Sequence, residues 1–148
     1  MTARLLTVAG GAVVAALLAG CAPAGSAEPR AEALTPKQME IMDKQLAGKV
    51  AGAPVNCLNS SSRSYQTIRV SDDVILYRAS GNLVYRNQLH GSCPGLARDN
   101  DVMVIRSYST GTCKGDFFHL VDRASGIRGP TCVFGAFVPY RKAPEAGR

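Results

Sequence analysis

The sequence predicts a mainly β protein, a small antiparallel barrel or sandwich of about six strands, preceded by one N-terminal helix and a signal peptide. Three observations predict it. From Tyr65 onward the chain is a series of short β-like runs divided by turn residues. The segment 34–48 carries a full set of helix-capping signals. The first 20 residues have the charge and apolar layout of an export leader. A length of 148 residues suits one domain. With 46% hydrophobic residues and a net charge of +6, the chain is neither disordered nor a polytopic membrane protein. It has no Trp and two His, which argues against haem, a multi-histidine zinc site or a tryptophan-caged ligand. No cofactor and no metal are expected.

The leader comes first. One cation, Arg4, precedes an uncharged stretch from Leu5 to Gly20. A helix that crosses ~30 Å of hydrocarbon needs ~20 apolar residues. This stretch is shorter and rich in Gly and Ala, so residues 1–20 read as a signal peptide rather than a retained span. Leu18-Ala19-Gly20-Cys21 resembles the bacterial lipobox. The resemblance implies that Cys21 becomes the first mature residue and carries acyl chains, each buried CH₂ adding ~0.8 kcal/mol of anchoring. The alternative is an ordinary signal cut after a small residue, with Cys21 merely nearby. There is no Arg-Arg pair, which argues against the twin-arginine route. Ala22, not Asp, follows the cysteine. By similarity to enterobacterial sorting, that implies a lipid anchor in the outer membrane, facing the periplasm.

Acylation of Cys21 leaves Cys57, Cys93, Cys113 and Cys132. An even number in an exported domain reads as two disulfides with three possible connectivities. Zinc is disfavoured because no two of these cysteines stand in CxxC-like pairs.

Residues 21–33 are small and polar, with Pro and Gly, and read as a flexible tether. In the helix, Thr35 is the N-cap, Pro36 sits at N1, and Gln38 at N3 completes a capping box. Leu34 and Met39 are placed for a hydrophobic staple. Met39, Met42 and Leu46 form an apolar stripe, and Gly48 ends the helix. The stripe is expected to pack on the domain, or alternatively to bind a partner.

The β domain spans 55–140. YQTIRV (65–70), VILYRA (74–79) and LVYRNQL (83–89), divided by Ser71-Asp72-Asp73 and Ser80-Gly81-Asn82, read as an antiparallel meander. VMVIRSY (102–108) is apolar on both faces and reads as a central strand. Phe117 to Asp122 and Cys132 to Tyr140 complete the set, the last weakened by Gly135 and Pro139. Leu83, Tyr85, Asn87 and Leu89 share the face expected to be core. Phe117, Phe118, Leu120, Phe134 and Phe137 are expected to supply the aromatic packing. In an up-and-down order, Cys57 and Cys113 fall at one pole and Cys93 and Cys132 at the other. That favours the pairs Cys57–Cys113 and Cys93–Cys132. The tail 141–148 reads as disordered.

The combination of Cys57, Asp72-Asp73, Tyr85-Arg86-Asn87-Gln88-Leu89, Cys93-Pro94-Gly95-Leu96, Cys113, and Gly129-Pro130-Thr131-Cys132 with Gly135 and Phe137 resembles a family of small exported proteobacterial lipoproteins of unassigned function. The resemblance covers roughly residues 55–140. It implies an envelope domain with paired cysteines, and it carries no catalytic residue.

Candidate chemistry is sparse. Asp116, His119 and Asp122 lie close together, but residues three apart on a strand face opposite sides, so they make no acid–base set. His90 sits in a Gly-rich loop and reads as solvated. Asp72 and Asp73 read as turn formers, being too few oxygen ligands for calcium. The basic residues remain. Arg69, Arg78, Arg86 and Arg106 with Tyr85 are the candidate binding surface, suited to an anionic envelope polymer or an envelope protein. The alternative is a solvated face with edge-protecting charges. Nucleic acid fits the charge but not the compartment, so none is expected. The sequence therefore predicts a non-enzymatic binding or structural module of the envelope. The alternative is a periplasmic enzyme, or an enzyme inhibitor acting through a loop at 90–101 or 122–131.

Overall fold

The computed structural model describes residues 33–59, 64–98 and 100–143. The signal peptide, Cys21, nearly all of the tether and the last five residues of the tail lie outside the described residues.

The chain builds one helix and ten strands. In order they are α1 (Pro36–Leu46), β1 (Lys49–Ala51), β2 (Cys57–Asn59), β3 (Gln66–Arg69), β4 (Val74–Ser80), β5 (Leu83–Gln88), β6 (Asp101–Arg106), β7 (Gly111–Cys113), β8 (Phe117–Asp122), β9 (Arg128–Val133) and β10 (Phe137–Lys142). They form three antiparallel sheets: β1-β10-β5-β4-β3, β6-β8-β9, and the ribbon β2-β7. The sheets do not close into a barrel; the fold is sandwich-like and mainly β.

The strand count exceeds six for two reasons. Three strands have only three residues each and leave little pattern in the sequence. The run from Cys132 to Tyr140 is divided into β9 and β10 at Phe134-Gly135-Ala136. Gly135 is required there, because a Cβ at this position would collide with the Gln88 carbonyl oxygen. The β3-β4-β5 meander forms as expected. The remaining order is not up-and-down: β10 returns to pair with β5, and β6, β8 and β9 form a sheet of their own.

The helix is capped as its sequence predicts. The Thr35 side chain accepts from the Gln38 N–H at 3.4 Å, and the Gln38 side chain accepts from the Thr35 N–H at 2.8 Å. Gly48 follows with a φ of 65°, the left-handed position that glycine fills without strain. Met39 is 47% exposed and does not join the packing face. Leu34, Ile41, Met42 and Leu46 form that face and cover Val70, Val74, Leu76 and Val84 on one side of the five-stranded sheet.

The opposite side of that sheet presents Ile75, Tyr77 and Phe137 to Phe118, Leu120, Cys132 and Phe134. The two faces of β5 are therefore both used: Tyr85, Asn87 and Leu89 face this main core, and Val84 lies beneath the helix. Phe117 alternates outward on β8 and is 46% exposed, so it is not part of the aromatic core. The run 102–108 is not central. Its strand, β6, is an edge, and Val102, Val104 and Ile105 are exposed. Apolar residues on both faces of an edge strand give the same sequence pattern as a buried strand.

Both disulfides are formed. Cys57 stands directly opposite Cys113 across the β2–β7 ribbon, and Cys93 is joined to Cys132 of β9.

Candidate functional site

A cleft of about 720 Å³ lies where α1, β3 and β6 approach one another. The helix contributes Ile41, Lys44 and Gln45, the edge strand β3 contributes Gln66 to Arg69, and β6 contributes Val102 and Met103. Arg123, from the turn after β8, completes the lining. Ile41, Ile68, Val102 and Met103 are apolar, whereas Lys44, Arg69 and Arg123 are cationic. Among the described residues no carboxylate, histidine or thiol lines the cleft. Cations beside apolar surface attract anionic groups that carry an apolar part.

Arg69 is the best-fixed of the three cations. Its Nη1 donates to the Arg98 carbonyl and its Nη2 to the Asp101 carbonyl, each at 2.9 Å. Both acceptors are neutral backbone groups, so they orient the guanidinium without cancelling its charge. Tyr77 is 5% exposed, and its hydroxyl has no hydrogen-bond partner among the described residues. Burial pushes the pKa of that hydroxyl far up, and the Arg69 charge opposes the shift.

The five residues of the predicted surface do not share one face. Arg86 stands opposite Leu76 and Arg78 opposite Val84, which places both on the side of the sheet that carries α1. Arg78 is bonded to the Gln66 side chain, and Arg86 donates to Gln88 Oε1 at 2.5 Å while its Nε is buried without a partner among the described residues. Tyr85 stands opposite Tyr77 on the other side, half-buried, with its ring 6.0 Å from that of Tyr65 in edge-to-face packing. Arg106 belongs to the second sheet. Only Arg69 lines the cleft. Lys44 and Arg123 were not singled out by sequence, because only the packing of α1 on β3 brings these distant segments together.

The remaining candidates have structural duties. Asp72 accepts from the Gly95 N–H at 3.2 Å and the Ala97 N–H at 3.1 Å, fastening the Cys-Pro-Gly-Leu corner to the β3–β4 turn. Asp73 is buried, bonded by the Ser71 hydroxyl and by Gln88 Nε2 at 2.7 Å. Asp116 accepts from the Cys113 N–H at 2.8 Å and from the Ser107 hydroxyl. Asp122 accepts from the Ser125 N–H at 2.7 Å and the Ala124 N–H at 3.0 Å. These bonds hold its carboxyl below the ordinary value. His119 is 8% exposed, between Val104 and Thr131 on the outer side of the second sheet. Lost hydration, then the Arg128 and Arg106 charges, lower its pKa. His90 is exposed.

The loops at 90–101 and 122–131 face each other across a smaller cleft of about 200 Å³, lined in part by Pro94, Arg98, Ile127 and Pro130. Among the described residues no group of three or more His, Cys, Asp or Glu is placed to hold a metal ion. Among them, too, no helix is long and apolar enough to cross a membrane.

No protein-family model matches this sequence, and neither the curated proteins nor the solved structures give a match to it.

Proposed function

We propose that this chain is an exported, lipid-anchored module of the bacterial envelope that binds an anionic ligand without transforming it. The observation that carries the reading is the cleft between α1, β3 and β6, lined by Lys44, Arg69 and Arg123 and, among the described residues, by no acidic side chain. The lipobox-like Leu18-Ala19-Gly20-Cys21 and the paired cysteines support the envelope setting. Cys21 would hold the chain on the outer membrane, with the domain on the periplasmic side.

The binding reading is tested with purified anionic envelope polymers, phosphorylated glycolipid and peptidoglycan fragments among them, at low and high ionic strength. Salt-sensitive association that Arg69→Ala and Arg123→Gln weaken supports it. No association at low ionic strength overturns it. The anchor is tested by palmitate labelling of the wild type against Cys21→Ala, where undiminished label refutes lipidation.

A second reading, action on an enzyme, has one observation in its favour. The turn at 122–128 is locked by the Asp122 carboxylate and carries Ile127 at 69% exposure, beside a corner locked by Cys93–Cys132 and Asp72. Rigid exposed loops of this kind suit insertion into another protein's groove. Loss of partner capture in Ile127→Asp, with Arg69→Ala unaffected, would favour this reading over the first.

A further inference from the structure

The cleft opens onto the edges of two sheets, not onto their faces. Side chains alternate along a strand, yet four consecutive residues of β3, Gln66 to Arg69, all line it, as do the neighbours Val102 and Met103 of β6. Strand order agrees, since β3 is the last strand of the five-stranded sheet and β6 an outer strand of the three-stranded one.

The direction of the backbone groups follows from the ladder. The Val70 N–H donates to the Val74 carbonyl at 3.0 Å. In an antiparallel pair such hydrogen-bonded positions alternate. With Ile68 opposite Leu76, residues 66 and 68 also direct their N–H and C=O groups toward β4. Thr67 and Arg69 therefore direct theirs away from β4, into the cleft. On the far side the Asp101 carbonyl points toward Arg69, which bonds it, and by the same alternation so do the backbone groups of Met103. A strand seated between two edges sets them two inter-strand spacings apart, ~9.5 Å. Here β3 and β6 are not paired with each other, and the Arg69 side chain, not a backbone ladder, reaches across to the Asp101 carbonyl.

We infer that the occupant of this cleft is an extended acidic peptide, which adds as a strand to the free edge of β3 opposite β6. Main-chain hydrogen bonds to Thr67 and Arg69 hold it, its side chains on the α1 side meet Ile41, Ile68 and Lys44, and Arg69 and Arg123 supply further cations. The charge decides the sign of the ligand, and the exposed ladder decides its form. A glycan polymer satisfies the first and makes no use of the second. This inference rests on the anionic-ligand reading and specifies it.

The test uses the full-length chain in detergent and a labelled hexapeptide of alternating valine and glutamate, followed by fluorescence anisotropy. A second peptide of the same sequence is N-methylated at alternate amides, which keeps its charge and removes its ladder donors. The inference expects the methylated peptide to bind about tenfold more weakly. It also expects Thr67→Pro, which removes an edge N–H without touching the β3–β4 ladder, to weaken the unmethylated peptide to a similar extent with little change in Tm. Equal, salt-sensitive binding of both peptides overturns strand addition and leaves the anionic-ligand reading standing. Binding of glycan polymers with no binding of either peptide does the same. Failure of every anionic probe at low ionic strength overturns both.

Discussion

Asn87 clamps Gly135 from both sides of its peptide. Its Nδ2 donates to the Gly135 carbonyl at 2.8 Å and reaches the Ala136 carbonyl at 3.3 Å, while its Oδ1 accepts the Gly135 N–H at 3.3 Å. Asn87 is fully buried in the first sheet, and Gly135 lies where the chain leaves β9 for β10. One side chain therefore satisfies the backbone at the break between those strands.

Removal of either partner is expected to be costly. Asn87→Leu keeps the volume but strands buried backbone groups, for a loss of about 2–3 kcal/mol. Gly135→Ala drives a Cβ into the Gln88 carbonyl oxygen and is expected to cost about as much. Gly81→Ala is the control, since nothing lies near its added Cβ. Urea denaturation of the three variants checks this. Wild-type midpoints for the first two would refute the clamp.

Tyr77→Phe is expected to leave stability unchanged or to raise it by up to about 1 kcal/mol. The hydroxyl it deletes is buried and unpartnered, and the ring's packing against Phe134 and Phe137 is retained. A marked fall in Tm would mean that the hydroxyl has a partner, such as an internal water.

The two disulfides are expected to reduce in a fixed order. Cys57 is exposed and Cys113 half-buried, whereas Cys93 and Cys132 are buried at 0% and 4% exposure. Under native conditions a mild reductant followed by alkylation and peptide mapping should label Cys57 and Cys113 first. Each bridge closes a long loop and should contribute ~2–4 kcal/mol. First labelling at Cys93 would contradict this.

Acidification through the histidine range is expected to weaken the fold. The His119 pKa lies below its ordinary value of 6.5, because of lost hydration and the Arg128 and Arg106 charges. The unfolded chain thus binds more protons than the folded one between that lowered value and 6.5, so stability rises with pH across this window and is lost as pH falls through it. In His119→Gln that part of the dependence should vanish from Tm measured against pH. An identical pH profile in the variant would count against the assignment.

Local signals in the sequence were legible where short-range physics dominates. Thr35, Pro36, Gln38 and Gly48 set the helix within one turn at each end. The alternation in 65–89 and its two turns gave the β3-β4-β5 meander, because a hairpin's pairing is fixed by neighbours in the chain. The cysteine pairing came out as expected although the up-and-down order behind it did not, since Cys57 and Cys113 meet across a ribbon of two short strands that no pattern announced. Apolar content misplaced β6 at the centre of a sheet. The cleft itself was out of reach, as Lys44, Arg69 and Arg123 converge only through long-range packing. Arg69, alone among the expected surface residues, pointed to it.

The segment from Cys93 to Asp101 is fastened at its start by Cys132, in its middle by the Asp72 carboxylate, and at its end by the Arg69 guanidinium. It leads straight into β6, so the aperture between β3 and β6 is set by a three-point mooring most of which lies outside the aperture. Closure of the Cys93–Cys132 bridge and the fixing of that aperture are then a single event for this molecule. A chain whose Cys93 and Cys132 had not yet met would carry the same cationic side chains without a berth of fixed width between them.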